Sequence, residues 1–392
     1  MSILRVQKIR HTASNTDVID IANDGTCIAK LTNRNNKNLF INGSMIVAQK
    51  GVSATASSSG YPACDRWRIG AGGLDEAVTV AQSALTSSDT PYSSGFRYAT
   101  KITNGNQTNG LGATDYLSFG QRLEGQDIHS SGWDFTSTSS KITVSFWIKS
   151  SVAQTFYSRF RITEASANKE YVFAVAATTS WQKITKTISG ASGLNPKSNN
   201  DMGFFWDIIL GYGSDYTGSM TPDQWNTVNT AAYVPDMASS WYDTDNATFE
   251  ITGVQLEVGS HSTDHELQSY AQTLALCQRY FYMHASGAFP LSNTDRCPIG
   301  HGYGYTSTDG YVIITYPVQM RTNPSLYKVV GTDYFNFAYS NNNAYPNNIA
   351  ANRVSNQVAE LYFYDGASWG QNDGGMLRTY NTAARVGFSA EL

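Results

Sequence analysis

The sequence predicts an all-β protein built from sandwiches of short strands, and three observations predict it. Tyr (24), Phe (17) and Trp (8) are plentiful beside Val, Ile and Thr, the residues that fit a pleated, half-buried surface. Short runs alternate apolar and polar residues at period two. Clusters of Gly, Asn, Ser and Asp punctuate those runs where turns are needed. Hydrophobic residues make up 41% of the 392, enough to bury a core, so the chain folds rather than staying disordered. Charged residues reach only 15%; 42 Ser, 38 Thr and 29 Asn supply the polar surface instead. At roughly 150 residues per domain, the length suggests two or three domains.

Residues 3–10 alternate, Asp17–Ile21 follows, and a turn at Asn23-Asp24-Gly25 leads into Thr26–Leu31. Strands this short cannot bury a core of their own. The first 37 residues therefore read as an intertwined β segment that pairs with neighbouring copies of the chain. This region is also basic: residues 1–50 carry seven Lys/Arg against three Asp.

Residues 38–49 read as the opening strand of a second region, which extends to residue 260 as a jelly-roll β-sandwich. Its clearest strands are Ile142–Lys149, Glu170–Val175, Trp181–Ile188 and Thr248–Val258. In the first of these, Ile142, Val144, Phe146 and Ile148 share one face, which leaves Trp147 on the less apolar side.

Residues 261–284 break the alternation and read as a helical linker. Thr263 and Glu266 have the spacing of a capping box, and Leu267, Tyr270, Leu274, Cys277 and Phe281 follow at intervals of three and four. This stripe fits a short coiled coil and fits equally a helix packed on a sheet. From residue 285 to 392 strands return as a C-terminal β-sandwich, the distal tip of the molecule. Tyr311–Tyr316, Val358–Tyr364 and Arg385–Ala390 are its strands, and an Asn-rich surface loop spans 340–348.

Several functions are excluded. A net charge of −4 gives no basic face for nucleic acid. No apolar run approaches the roughly 20 residues of a membrane span, and the first residues contain no signal-peptide core, so synthesis in a cytoplasm is expected. The sequence lacks GxxxxGK[ST] and HExxH motifs and the repeats of a β-helix depolymerase; no enzyme is expected. Cys27, Cys64, Cys277 and Cys297 are scattered and read as reduced thiols. His261 and His265 straddle the expected helix start and read as surface residues. No cofactor is expected, with Asp243 and Asp245 as weak calcium candidates in a stretch from Asp201 to Gln278 that holds eleven acids and no Lys or Arg.

Aromatic residues amid small polar ones suit a saccharide surface, because a ring can stack on the C–H face of a sugar while Asn and Asp bond its hydroxyls. Trp225, Trp241 and Tyr242 sit beside Asp, Asn and turn residues; Tyr339, Tyr345 and Trp369 occupy Gly/Asn-rich loops of the last domain. These six are the glycan-binding candidates.

Three stretches together resemble a known family. Arg10-His11-Thr12, Asp24-Gly25-Thr26-Cys27 and residues 38–45 (NLFINGSM) resemble the opening of tail-fibre-like proteins in phages of cyanobacteria and other marine bacteria. Residues 251–259 (ITGVQLEVG), Ser269-Tyr270 and residues 274–280 (LALCQRY) are the most specific match, and residues 317–324 (PVQMRTNP) resemble the start of that family's C-terminal domain. The central region is also similar to carbohydrate-binding-module jelly rolls. Such modules often carry an acidic residue after the opening Asn-Gly; Ser44-Met45 stands here, so their structural calcium is not carried over. The resemblance implies a homotrimeric virion fibre that docks to other tail proteins through its N-terminus. It would touch a host-surface polysaccharide without hydrolysing it, and no membrane insertion is implied. The alternatives are a purely structural head, collar or tail protein and a polysaccharide depolymerase.

Overall fold

A computed structural model describes residues 37–164, 168–287, 296–366 and 368–392, together with three strands nearer the N-terminus. Those three, β1 (Lys8–Arg10), β2 (Asp17–Ile21) and β3 (Cys27–Ala29), form an antiparallel meander. Residues 3–7, which the sequence also assigns to the first strand, lie outside the described residues, as do residues 22–26 and 30–36.

The next elements are β4 (Ser53–Ala56), β5 (Arg68–Gly72), β6 (Val78–Ala84), α1 (Thr90–Ser93), β7 (Tyr98–Thr103), β8 (Tyr116–Glu124) and α2 (Gly125–Ser130). They continue as β9 (Lys141–Ser150), β10 (Gln154–Ile162), β11 (Lys169–Ala177), β12 (Gln182–Ser189), β13 (Met202–Tyr212), β14 (Trp225–Thr227) and β15 (Thr248–Val258). The strands pair into two six-stranded antiparallel sheets, β14-β11-β10-β13-β8-β5 and β12-β9-β15-β7-β6-β4. This is the expected jelly-roll sandwich. Ile142, Val144, Phe146 and Ile148 point into the core, against Phe160, Phe204, Trp206 and Trp67. Two of the buried indoles find acceptors in this core: Trp206 Nε1 donates to Ser158 Oγ (2.6 Å) and Trp67 Nε1 to the Asn42 carbonyl (2.9 Å).

Residues 38–49 are not a strand. Asn42 and Met45 have φ of 59° and 60°, which breaks any extended run, and the Asn42 amide is tied to the backbone of Val47 and Asp65. Strand β15 holds the same segment in place. The Asn38 side chain bonds the Val254 carbonyl and the Leu256 N–H, and a bulge between Thr252 and Gln255 places Gly253 at φ 63° under the Phe96 ring.

The linking helix is shorter and later than the sequence suggests. It is α3 (Tyr270–Gln278), with Ser269 and Gln272 forming the capping box. Thr263 and Glu266 are engaged elsewhere: Thr263 donates to Glu257, and Glu266 accepts the Asn38 N–H. Of the stripe, Cys277 and Phe281 are buried and Leu274 is half-buried, whereas Leu267 and Tyr270 stand exposed. Cys64 and Cys277 are buried free thiols, and burial pushes the Cys64 thiol up to about 12.

The C-terminal region comprises β16 (Phe281–Ser286), β17 (Pro298–Gly304), β18 (Asp309–Thr315), β19 (Ser325–Val329) and β20 (Phe335–Tyr339). After these come β21 (Asn342–Ala344), β22 (Asn348–Val354), β23 (Val358–Tyr364), β24 (Gly374–Thr379) and β25 (Arg385–Ser389). Sheets β16-β25-β19 and β21-β20-β24-β17-β18-β23-β22 enclose a second core around Phe335, Phe337, Phe363 and Phe388. Part of the Asn-rich stretch 340–348 is strand, because Ser340 and Asn341 make a left-handed turn that returns β21 against β20.

A buried polar joint couples the two cores, built by Arg279, Tyr280 and Arg321. Glu124, fully buried, accepts from Arg279 Nε (2.7 Å), Arg279 Nη2 (2.8 Å) and the Tyr280 hydroxyl (2.6 Å). Burial works against the Glu124 charge, but Arg279 and Tyr280 outweigh it and hold the carboxyl below its usual range. Arg66 pairs with Glu391 and lies 3.4 Å over the Tyr280 ring. Arg321 donates to the carbonyls of Asn200, Ala390 and Glu391.

Candidate functional site

The alternation of β5, β8, β10 and β13 sends one set of side chains into the core and the other to the outer face of their sheet. Register then aligns the outward residues in rows across the strands. One row runs Glu170, Arg161, Phe205, Arg122; the next runs Val172, Arg159, Asp207, Gly120, Arg68. Gly120 and Gly70 leave the floor low, since a Cβ at Gly120 would meet the Trp206 carbonyl and one at Gly70 the Ser118 hydroxyl. The segment after β13 folds back over one end of this face, held by Tyr233 N to the Tyr216 carbonyl (2.8 Å) and by packing of Val234 and Met237 on Ile209 and Val172. What remains is a cleft of about 300 Å³.

Its walls combine rings and guanidinium groups. Tyr216 and Tyr233 stack at 6.0 Å, with Tyr116 edge-on to Tyr216 at 5.9 Å. Arg159 lies 5.1 Å over the Tyr233 ring and Arg161 4.7 Å over the same ring, while both also face Phe205. Arg159 forms a bidentate pair with Asp207 (3.1 and 2.8 Å) and bonds the Tyr212 hydroxyl (3.0 Å). Burial opposes the Arg159 charge, but Asp207 and Tyr212 more than compensate and hold its pKa above the usual arginine range. Arg161 pairs with Glu170 at 3.1 Å. Arg122 is pulled below its usual range by burial and by the charge of Arg68.

Chemically, this face offers half-buried aromatic rings, phenol hydroxyls and fixed donors in a shallow groove. That set matches the two sides of a sugar ring, its C–H faces and its rim of hydroxyls. Among the described residues lining it, Asp207 supplies the one carboxylate, and Arg159 already engages both of its oxygens.

The sequence-derived candidates lie elsewhere. Trp241 and Tyr242 are fully buried, because the turn that carries them folds inward: the Trp241 indole donates to the Thr248 carbonyl and its ring packs on Phe156. Neither ring has a face to offer a ligand. Trp225 is half-buried on β14, with its Nε1 bonded to the Ser189 carbonyl and its ring edge-on to Tyr171. Trp369 is a core residue against Phe337 and Phe363. Tyr339 stacks on Phe337 and Tyr345 packs on Tyr380, both half-buried. Asp243 accepts from the Ser239 hydroxyl, Asp245 is exposed, and among the described residues no group of three or more His, Cys, Asp or Glu could hold a metal.

Another row of rings, with Tyr303 and Tyr305 exposed and Tyr311, Tyr362 and Tyr364 half-buried, lies on the C-terminal region. Tyr303, Tyr311 and Tyr362 align across β17, β18 and β23, flanked by Tyr305 and Tyr364. With Ile313 at 65% exposure they make a flat aromatic strip on the seven-stranded sheet.

No protein-family model matches the sequence, and no curated protein matches it. Among solved structures, a family 11 carbohydrate-binding module of a cellulosomal cellulase of Clostridium thermocellum is 11% identical over 53% of this chain and 97% of its own, with a TM-score of 0.27. A xylan-binding domain from Paenibacillus barcinonensis is 11% identical over 54% of this chain and 95% of its own (TM-score 0.26). The enzymatically active domain of tailspike protein 4 of bacteriophage CBA120 is 11% identical over 57% of this chain, with a TM-score of 0.31; the match spans about a fifth of that tailspike chain (21%).

Proposed function

We propose that this chain is a saccharide-binding fibre protein of a phage particle, which recognises a host-surface polysaccharide through the outer cleft of its jelly roll and does not hydrolyse it. The observation that carries the binding reading is the cleft itself: Phe205, Tyr116, Tyr216 and Tyr233 half-buried around fixed guanidinium donors. The non-hydrolytic reading is supported by the engagement of Asp207 with Arg159, since glycoside hydrolysis uses two carboxylates flanking the bond. Assembly as a homotrimer docked through the N-terminus is supported by β1–β3, strands of three to five residues that are too short to bury a core alone. Exposed Tyr270 and Leu276 on α3, and Leu267 just before it, favour the same assembly. Three copies would turn weak single sites into a tight attachment.

The test is binding of the full chain to a glycan array that includes bacterial surface polysaccharides, repeated with Phe205→Ala and Tyr233→Ala. Loss of one stacking ring should weaken binding by about 1 kcal/mol, roughly fivefold, with no reducing ends released. Unchanged binding by both variants would remove the cleft from the account, and release of reducing ends would make the protein a depolymerase.

A further inference from the structure

We propose that the tyrosine row of the C-terminal sheet is a second saccharide site, separate from the cleft, and that it takes an internal stretch of an uncharged polysaccharide chain.

Five tyrosines gather at this face. Tyr303 on β17, Tyr311 on β18 and Tyr362 on β23 are register partners, with successive ring centroids 6.0 Å and 6.5 Å apart. Tyr305 stands 5.3 Å from Tyr311, and Tyr364 stacks on Tyr362 at 4.8 Å. Cross-strand aromatic pairs stabilise a sheet, which accounts for the contacts between the rings. It does not account for the ring surface left in water, since Tyr303 is 46% and Tyr305 54% exposed. Exposed apolar surface gathered in one patch marks an interaction site. Among the described residues no hydrogen bond engages the hydroxyls of Tyr303, Tyr305 or Tyr311, so each is available to a ligand.

Charge decides the class of ligand. The acids of this face are Glu360, register partner of Ile313, and Asp309, register partner of Tyr364. The four strands β17, β18, β22 and β23 carry one Lys or Arg among them, Arg353, and Glu360 pairs with it at 2.9 Å. An acidic chain would therefore meet carboxylates and no free cation on these strands. A neutral chain meets rings for its C–H faces and phenol hydroxyls for its own.

The ends of the row and the ring angles decide the shape. Gly374 continues the row beyond Tyr303, and Ala350 continues it beyond Tyr362. A Cβ at Gly374 would meet nothing within 4 Å. With small residues at both ends a chain can run straight through, so the site does not require a chain terminus. The surface has no walls, yet its ring planes turn, by 42° from Tyr303 to Tyr311 and 51° from Tyr311 to Tyr362. Rings set at such angles cannot all lie against one crystalline face. They suit a single chain whose sugar rings turn along its axis.

The test is biolayer interferometry of the full chain on xylan, laminarin and hydroxyethyl cellulose as soluble neutral polymers and on polygalacturonate as an acidic one, with a pull-down on microcrystalline cellulose. Five proteins are compared: wild type, Tyr303→Ala/Tyr311→Ala, Tyr303→Ala alone, Phe205→Ala in the cleft, and Tyr98→Ala as an exposed-ring control on β7. Thermal unfolding reports whether each is folded. Tyr303→Ala keeps the test valid if the double variant is not, because Tyr303 faces Gly374 on one side and loses a single ring contact. The expected result is binding to at least one soluble neutral polymer, weakened about fivefold by Tyr303→Ala, about tenfold or more by the double variant, and unchanged by Tyr98→Ala. Phe205→Ala reads the cleft separately, so the two sites can fail independently. Wild-type binding by both strip variants would overturn the second site and leave the cleft reading standing. Strip-dependent binding that is tighter to polygalacturonate or to microcrystalline cellulose would overturn the ligand class. Binding to none of the five polymers would overturn the second site, while the glycan array still tests the cleft.

Discussion

Replacing Arg279 with Ala would remove the countercharge of a carboxylate that has no water to turn to. Glu124 is fully buried and takes two N–H bonds from Arg279, one O–H bond from Tyr280 and one from Gln126. Breaking a buried pair from one side costs about 3–5 kcal/mol. An upper bound comes from protonation: if Glu124 returns to an ordinary carboxyl pKa or above and takes up a proton at pH 7, the expense is about 3 kcal/mol, beyond the lost bonds themselves. The sign with pH follows. In the wild type the Glu124 pKa is depressed, so its contribution is present above the unfolded-state value and is lost as pH falls through the folded one. In Arg279→Ala the carboxyl is no longer held down, so the gap to wild type narrows by up to about 1.4 kcal/mol per pH unit between pH 7 and pH 5. Glu124→Gln leaves Arg279, whose side chain is 31% exposed, able to reach water and should cost less, about 1–2 kcal/mol. Urea unfolding followed by tryptophan fluorescence measures both. A loss below about 1 kcal/mol for Arg279→Ala, or a gap independent of pH, would refute the assignment of Glu124 and Arg279 as the joint between the two cores.

Two further predictions follow from other parts of the molecule. Burial pushes the Asp65 carboxyl up to about 6, against the hydrogen bonds of Gln49, so its contribution to stability is present at low pH and is lost as pH rises from about 4 through 6. Asp65→Asn should therefore gain stability relative to wild type by about 1–3 kcal/mol between pH 4.5 and pH 7 in urea melts; a constant difference would show that Asp65 is ionised throughout. Light scattering of the full chain and of one beginning at Asn38 should give a trimer and a smaller species respectively, whereas a monomer in both would remove the trimer from the account.

The strands with clean alternation were legible in the sequence. In Ile142–Lys149 and Val358–Tyr364 every second residue is apolar, and in Thr248–Val258 the alternation holds on either side of Gly253; the structure builds β9, β23 and β15 there. The stretch from 38 to 49 looked equally apolar, but Asn42 and Met45 in left-handed conformations turn it back on itself, and a pattern count does not see φ. The helix start was misplaced because Thr263–Glu266 and Ser269–Gln272 both satisfy the capping spacing, and only tertiary partners decide between them. Trp241 and Tyr242 were chosen for their polar neighbours in sequence, yet a turn can aim its rings inward while its Asp residues face water. The cleft escaped notice because its residues come from four strands and the segment after β13, spread between Arg68 and Tyr233. A local signal existed: Tyr157, Arg159 and Arg161 alternate with Phe156, Phe160 and Ile162, as Tyr116, Ser118, Gly120 and Arg122 do with Leu117, Phe119 and Leu123. Arginine at every second position of a buried strand marks the face that looks away from the core.

The central claim is that the outer face of β5, β8, β10 and β13 is the surface that meets a saccharide, and a crystal structure of the full chain with a bound oligosaccharide from the tightest-binding polymer tests it most directly. The account predicts a sugar ring against Phe205 and Tyr233. A ligand lying instead on the Tyr303–Tyr311–Tyr362 strip, with the cleft unchanged, would contradict it.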